Sequence, residues 1–119
     1  MNRTVFFLSD GTGITAETFG GAIMAQFEIT PRRVRLPYID NVDKAHQIVR
    51  QINHTAEIEG QRPIVFSTLV NMEVLSVIKA NCHGMLLDMF ATFVEPLEKE
   101  LKLTSNHRVG RFSNVTKSQ

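Results

Sequence analysis

Thr4-Val5-Phe6-Phe7-Leu8-Ser9-Asp10-Gly11-Thr12-Gly13-Ile14-Thr15-Ala16-Glu17 begins as a strand and ends as a helix. Val5 to Leu8 is apolar without a break, so neither face of the strand is meant for water. That is the pattern of a strand in a parallel sheet covered by helices on both sides. Ser9 to Gly13 are small and turn-prone, and a helical pattern follows at once. A strand, a glycine turn and a helix N-terminus form a place where free N–H groups and the helix dipole can hold an anion. Ser9, Asp10, Gly11, Thr12, Gly13 and Thr15 are therefore the first candidates for contact with phosphate or another ligand.

Working outward, Ala16, Phe19, Gly20, Ile23, Met24 and Phe27 recur at spacings of three and four and predict the first helix. Gly20-Gly21 within it weakens the helix by ~1 kcal/mol per glycine relative to alanine, which suits a helix lying close to a strand. Thr30-Pro31 ends the pattern. Arg32 to Ile39 alternates Val34, Leu36 and Tyr38 with Arg33, Arg35 and Pro37 and predicts an edge strand. Asp40-Asn41 then offers a cap for a helix over residues 42–59, stopped by Gly60. Pro63 to Leu69 predicts a third strand and Met72 to Asn81 a third helix capped by Asn71. Met85 to Asp88 predicts a fourth strand. Phe93 to Leu101 predicts a fourth helix, with Pro96 in its first turn and Val94, Leu97 and Leu101 facing inward.

Strict alternation of strand and helix implies an α/β fold in three layers, a mostly parallel four-stranded sheet between helices. The expected domain covers residues 1–103, and 104–119 reads as a polar tail or truncated linker. With 119 residues, one domain is the default. Hydrophobic content of 43% against 21% charged is that of an ordinary soluble domain, and a net charge of +1 makes no electrostatic case for nucleic acid. One cysteine, Cys82, cannot staple the chain to itself, which points to a reducing, cytoplasmic setting. No apolar run reaches the ~20 residues of a membrane span.

Ligands of an open parallel sheet bind beyond the carboxyl ends of its strands. Secondary candidates there are Asp40, Ser67, Thr68 and Asp88; for the two aspartates helix capping or turn chemistry is the plainer role. His107, Arg108 and Arg111 around Gly110 could clamp a phosphate from the tail. Gly11-Thr12-Gly13 with Ala16 is a weak match to the dinucleotide fingerprint. No Gly-Lys pair exists, so no phosphate loop of the G-x-x-x-x-G-K-[ST] type is present. His46, His54 and His83 are scattered, with no metal-ligand spacing, and no metal is expected.

The opening motif, followed by Arg33-Val34-Arg35-Leu36-Pro37, Arg62-Pro63-Ile64-Val65-Phe66-Ser67-Thr68-Leu69-Val70, Asp88-Met89-Phe90, Pro96-Leu97-Glu98 and His107-Arg108-Val109-Gly110-Arg111, resembles the bacterial phosphoenolpyruvate synthase regulatory proteins. These are close relatives of the pyruvate, phosphate dikinase regulatory proteins. The resemblance implies a bifunctional regulator. With ADP it phosphorylates a threonine beside the phosphocarrier histidine of its target, and with inorganic phosphate it reverses this and releases pyrophosphate. Either of those two enzymes would be the partner, and a homodimer is possible. The family's phosphate loop, of the G-x-S-[RC]-x-[SG]-K-T-P type, belongs to a second domain that these residues do not include, so no ADP-binding residue carries over. The expectation is a chain that contributes to the regulator, carries no cofactor of its own and is inactive alone. Two other readings stay open: a target-docking or dimerisation module without a small-molecule site, and an independent nucleotide-binding α/β domain.

Overall fold

Val5, Phe6, Phe7 and Leu8 are fully buried, as a strand apolar on both faces requires. They belong to β1 (Thr4–Leu8). In the computed structural model, which describes residues 3–105, β1 is followed by α1 (Ile14–Met24), β2 (Arg32–Leu36), α2 (Val42–Glu59), β3 (Ile64–Ser67), α3 (Met72–Asn81), β4 (Met85–Asp88) and α4 (Met89–Leu101). The four strands form one sheet in the order β2-β1-β3-β4, and every pairing is parallel. Phe7 sits in register between Arg35 and Phe66, and Leu8 between Leu36 and Ser67. The α/β expectation holds, with the sheet wholly parallel.

Alternate side chains of the strands supply two cores. Phe6, Leu8 and Val65 pack with Ile52 of α2 and with Val74 and Ile78 of α3. Val5, Phe7 and Phe66 pack on the opposite face with Ala16 of α1 and Met89 of α4. A Cβ added to Gly20 would stand 2.8 Å from Phe7 Cε1 and 2.9 Å from Phe66 Cδ2. The glycine is the means by which α1 approaches β1 and β3, as the expectation of close helix–strand packing has it.

Several boundaries differ from the sequence reading. β2 stops at Leu36, because Pro37 has no N–H to give and Tyr38 turns to φ 59°, outside any strand. β3 is shorter than Pro63–Leu69 at both ends. α1 ends at Met24, leaving Phe27 outside the helix and exposed. α4 starts four residues earlier than Phe93, directly after β4, because Asp88 caps it: Asp88 Oδ1 accepts from the N–H groups of Phe90 and Ala91 at 3.1 and 3.2 Å. Pro96 consequently lies inside the helix and not in its first turn. Leu97 and Leu101, expected to face inward, are exposed. The tail from residue 106 onward lies outside the described residues. Among the described residues no helix is long and apolar enough to cross a membrane.

Candidate functional site

β1 and β3 are neighbours, yet the helices that follow them lie on opposite faces of the sheet. Their departing chains leave a crevice at the carboxyl ends, the topological switch point where open α/β sheets take ligands. One wall is the loop of residues 9–13. The other is the loop of residues 68–71.

The first loop is held on both sides. Ser9 N–H donates to the Leu36 carbonyl at 3.2 Å, Ile39 N–H to the Ser9 carbonyl at 2.9 Å, and Tyr38 N–H to the Gly11 carbonyl at 2.8 Å. Ser9 is fully buried, and its Oγ accepts from Gly11 N–H at 2.9 Å. Asp10 reaches across the crevice: its Oδ2 accepts from Val70 N–H at 3.3 Å. The second loop answers in kind. Thr68 donates to the Leu8 carbonyl through its N–H at 3.0 Å and its hydroxyl at 3.4 Å. Ser67 Oγ accepts from Leu69 N–H at 3.1 Å. Ser9, Asp10, Ser67 and Thr68 are thus brought together, and the hydrogen bonds they make hold the two walls in place.

Gly13, Thr12 and Thr15 occupy the mouth. Gly13 is the N-cap of α1 at φ 85°, a conformation side chains rarely adopt, and a Cβ there would stand 2.8 Å from Arg35 Cγ. Asn41, Asn71 and Asp88 cap the other three helices with side-chain oxygens. α1 has no side-chain cap of that kind. Thr12 Oγ1 accepts only from Ile14 N–H at 3.3 Å, and Thr12 and Thr15 are exposed. The first turn of α1 therefore keeps its positive end open. Gly11 differs from Gly13: the nearest atom to an added Cβ would be Ser9 Oγ at 3.8 Å. Packing does not demand a glycine at position 11.

The other two candidate aspartates make local contacts of their own, although Asp88 lies in register beside Ser67. Asp40 is exposed and pairs with Lys44 Nζ at 3.1 Å, while Asn41 performs the capping of α2. Asp88 caps α4, and its second oxygen lies 3.9 Å from Lys79 Nζ. Asp88 takes the capping role weighed from the sequence; Asp40 does not, since Asn41 caps the helix and Asp40 pairs with Lys44. His107, Arg108 and Arg111 lie outside the described residues.

Two residues near the crevice were not singled out from sequence. Arg35 lies over Gly13, with its guanidinium 3.5 Å from Glu17, which puts a cation beside the open turn of α1. The alternation in β2 that sets Arg33 and Arg35 on one face was the available signal. Tyr38 is exposed in the left-handed region, held by its N–H to Gly11 and by its carbonyl, which accepts from Lys44 Nζ at 3.2 Å. No local pattern announces that conformation in a tyrosine.

Residues 5–119 match the family described as kinase/pyrophosphorylase. The chain belongs to this family. It is 74% identical over 118 residues to a protein of Polaromonas naphthalenivorans strain CJ2, covering 99% of this chain and 43% of the relative. Over 117 residues it is 74% identical to a protein of Variovorax paradoxus strain S110 and 70% identical to one of Acidovorax strain JS42, covering 98% of this chain and 43% and 42% of those relatives. All three are provisionally named phosphoenolpyruvate synthase regulatory proteins. The chain spans less than half the length of these relatives.

Proposed function

We propose that this chain works as part of a serine/threonine kinase and pyrophosphorylase that regulates phosphoenolpyruvate synthase. With ADP as donor the regulator phosphorylates a threonine of the synthase, and with inorganic phosphate as acceptor it removes the phosphoryl group as pyrophosphate. The observation that carries the reading is family membership across residues 5–119, together with relatives at 74% identity that bear the regulator's name. Catalysis of this type rests on positioning and charge stabilisation around the moving phosphoryl group. The 119 residues hold no phosphate loop, so they are expected to transfer no phosphoryl group alone. Their contribution is the open turn of α1 with Arg35 beside it, a support for an anion held at the switch point.

Two measurements separate the parts of this reading. Inorganic phosphate or pyrophosphate at millimolar concentration is expected to raise the melting temperature of the chain. Gly11→Val, which crowds the mouth, is expected to abolish the rise; no rise in the unmodified chain overturns the anion support. The regulator itself is tested with the Polaromonas naphthalenivorans protein. ADP should let it inactivate phosphoenolpyruvate synthase and phosphate should restore activity; an unaffected synthase overturns the assignment.

A second reading follows from the hydrogen bonds of Ser9, Asp10, Ser67 and Thr68, all of which are made within the chain. A crevice so knit suits a rigid docking module for the synthase. That module would capture the enzyme equally well with Val at position 11.

A further inference from the structure

At the amino ends of β1 and β2, the end of the sheet away from the switch point, a cleft of about 890 Å3 opens against the last turn of α2. Arg3, Arg32, Thr55, Glu59 and Gln61 are among the residues that line it. Arg32 N–H donates to the Arg3 carbonyl at 2.9 Å, which joins the start of β2 to the start of β1. The Arg3 guanidinium donates to the Arg62 carbonyl at 2.8 Å and to Gln61 Oε1 at 2.9 Å, which holds the chain after α2 against the sheet.

Glu59 is the unsettled group of this cleft. Thr4, fully buried, donates its hydroxyl to Glu59 Oε2 at 2.6 Å. Glu59 Oε1 is also withdrawn from water, and among the described residues no donor reaches it. A carboxylate oxygen so placed has lost its hydration without regaining a hydrogen bond, a cost that folds rarely leave standing. The end of α2 adds to the demand for a cation. Its last turn holds no basic residue, and a helix C-terminus carries a partial negative charge. Arg32 makes the opposite demand. It is in register with Thr4, so its side chain leaves the sheet on the same face. Arg32 and Glu59 line one cleft, yet among the described residues no ion pair joins them and the Arg32 guanidinium has no carboxylate partner.

We propose that this cleft binds a small zwitterion of the α-amino acid class. The ammonium takes Glu59 Oε1 as its acceptor at the negative end of α2, the half-buried carboxylate turning about its bond to Thr4 to meet it. The carboxylate of the ligand is taken by Arg32. A simple anion would leave Glu59 unpaired and a simple amine would leave Arg32 unpaired; a molecule that carries both groups satisfies the two together. The cleft is larger than those two groups need, which leaves room for an amino-acid side chain beside Pro31 and Ile58.

Thermal denaturation of the 119-residue chain in phosphate-free buffer tests this, with each standard amino acid in turn at about 10 mM. At least one is expected to raise the melting temperature by about 3 °C or more, while propionate and ethylamine, which carry one charge each, leave it unchanged. Glu59→Gln, which keeps an acceptor for Thr4, and Arg32→Met should each abolish the rise. Gly11→Val, at the other end of the sheet, should leave it intact. Without amino acid, Arg32→Met should shift the melting temperature by no more than about 1 °C, because the exposed guanidinium touches no carboxylate. A chain that answers to no amino acid overturns the proposal. So does an equal rise with propionate or ethylamine, which would mean a site for a simple ion, and so does a rise that survives either Glu59→Gln or Arg32→Met. So too does a loss of stability in ligand-free Arg32→Met to which Glu59→Gln adds nothing, which would show the two side chains paired with each other.

Discussion

The two faces of the sheet are finished to different degrees. On one, α2 and α3 pack against each other and enclose Phe6, Leu8, Val65, Ile52, Val74 and Ile78, and each of these side chains is withdrawn from water. On the other, Phe7 and Phe66 stack with ring centres 5.8 Å apart beneath α1, but Ile64, Met85 and Leu87 look into an open groove. Stability is concentrated on the closed face, because apolar area removed from water is what stabilises, whereas the open face leaves apolar area exposed.

The largest expected effect breaks the closed face. Ile78→Ala should lower unfolding free energy by about 2–5 kcal/mol in urea titration, since the side chain is fully buried between α3 and the sheet. The matching change on the open face, Leu97→Ala, should stay within about 0.5 kcal/mol, since the side chain is exposed. Equal losses would erase the distinction between the faces.

A middle-sized effect sharpens the contrast within α1 and its turn. Gly20→Ala places a methyl against Phe7 and Phe66 and should cost about 1–3 kcal/mol despite the better helix propensity of alanine. Gly11→Ala, with room around the new carbon, should stay within about 0.5 kcal/mol in the same titration. A large loss at position 11 would mean that the turn is shaped by packing alone.

The smallest effect concerns Cys82, which packs at the edge of the closed core and accepts from Gly84 N–H through Sγ at 3.3 Å. Burial pushes its thiol above the ordinary value of 9.0, and the Gly84 hydrogen bond offsets this only in part. An acid whose folded pKa is raised keeps its proton longer in the folded chain. Stability is therefore complete below the ordinary thiol value and falls as pH climbs through and above it, when the unfolded chain ionises first. Melting temperatures measured from pH 7 to 10 should fall less in Cys82→Ala than in the unmodified chain. Parallel curves would place the thiol outside the closed core.

Much of the fold was readable in Val5-Phe6-Phe7-Leu8 and in the strand–helix alternation, because a strand buried on both faces has few architectures open to it. Asn41 and Asn71 marked helix starts correctly, since a cap is a local bond between a side chain and the next turn. The start of α4 was misplaced for a related reason: Asp88, correctly read as the end of β4, also caps the helix with no loop between, so α4 begins where a loop was expected. The turn of residues 9–13 was legible as a turn. The Asp10–Val70 hydrogen bond was not, because it joins residues sixty apart in sequence.

The sequence by itself determined the alternating elements, the all-round burial of β1, the absence of a phosphate loop and the family signature, since each depends on neighbouring residues or on residue identity alone. Only the tertiary structure decided that α1 is the helix left without a side-chain cap, that Arg35 stands beside its first turn, and that α4 leaves the sheet half bare. Those outcomes depend on which loops meet at the switch point and on which face each helix covers, and long-range packing sets both.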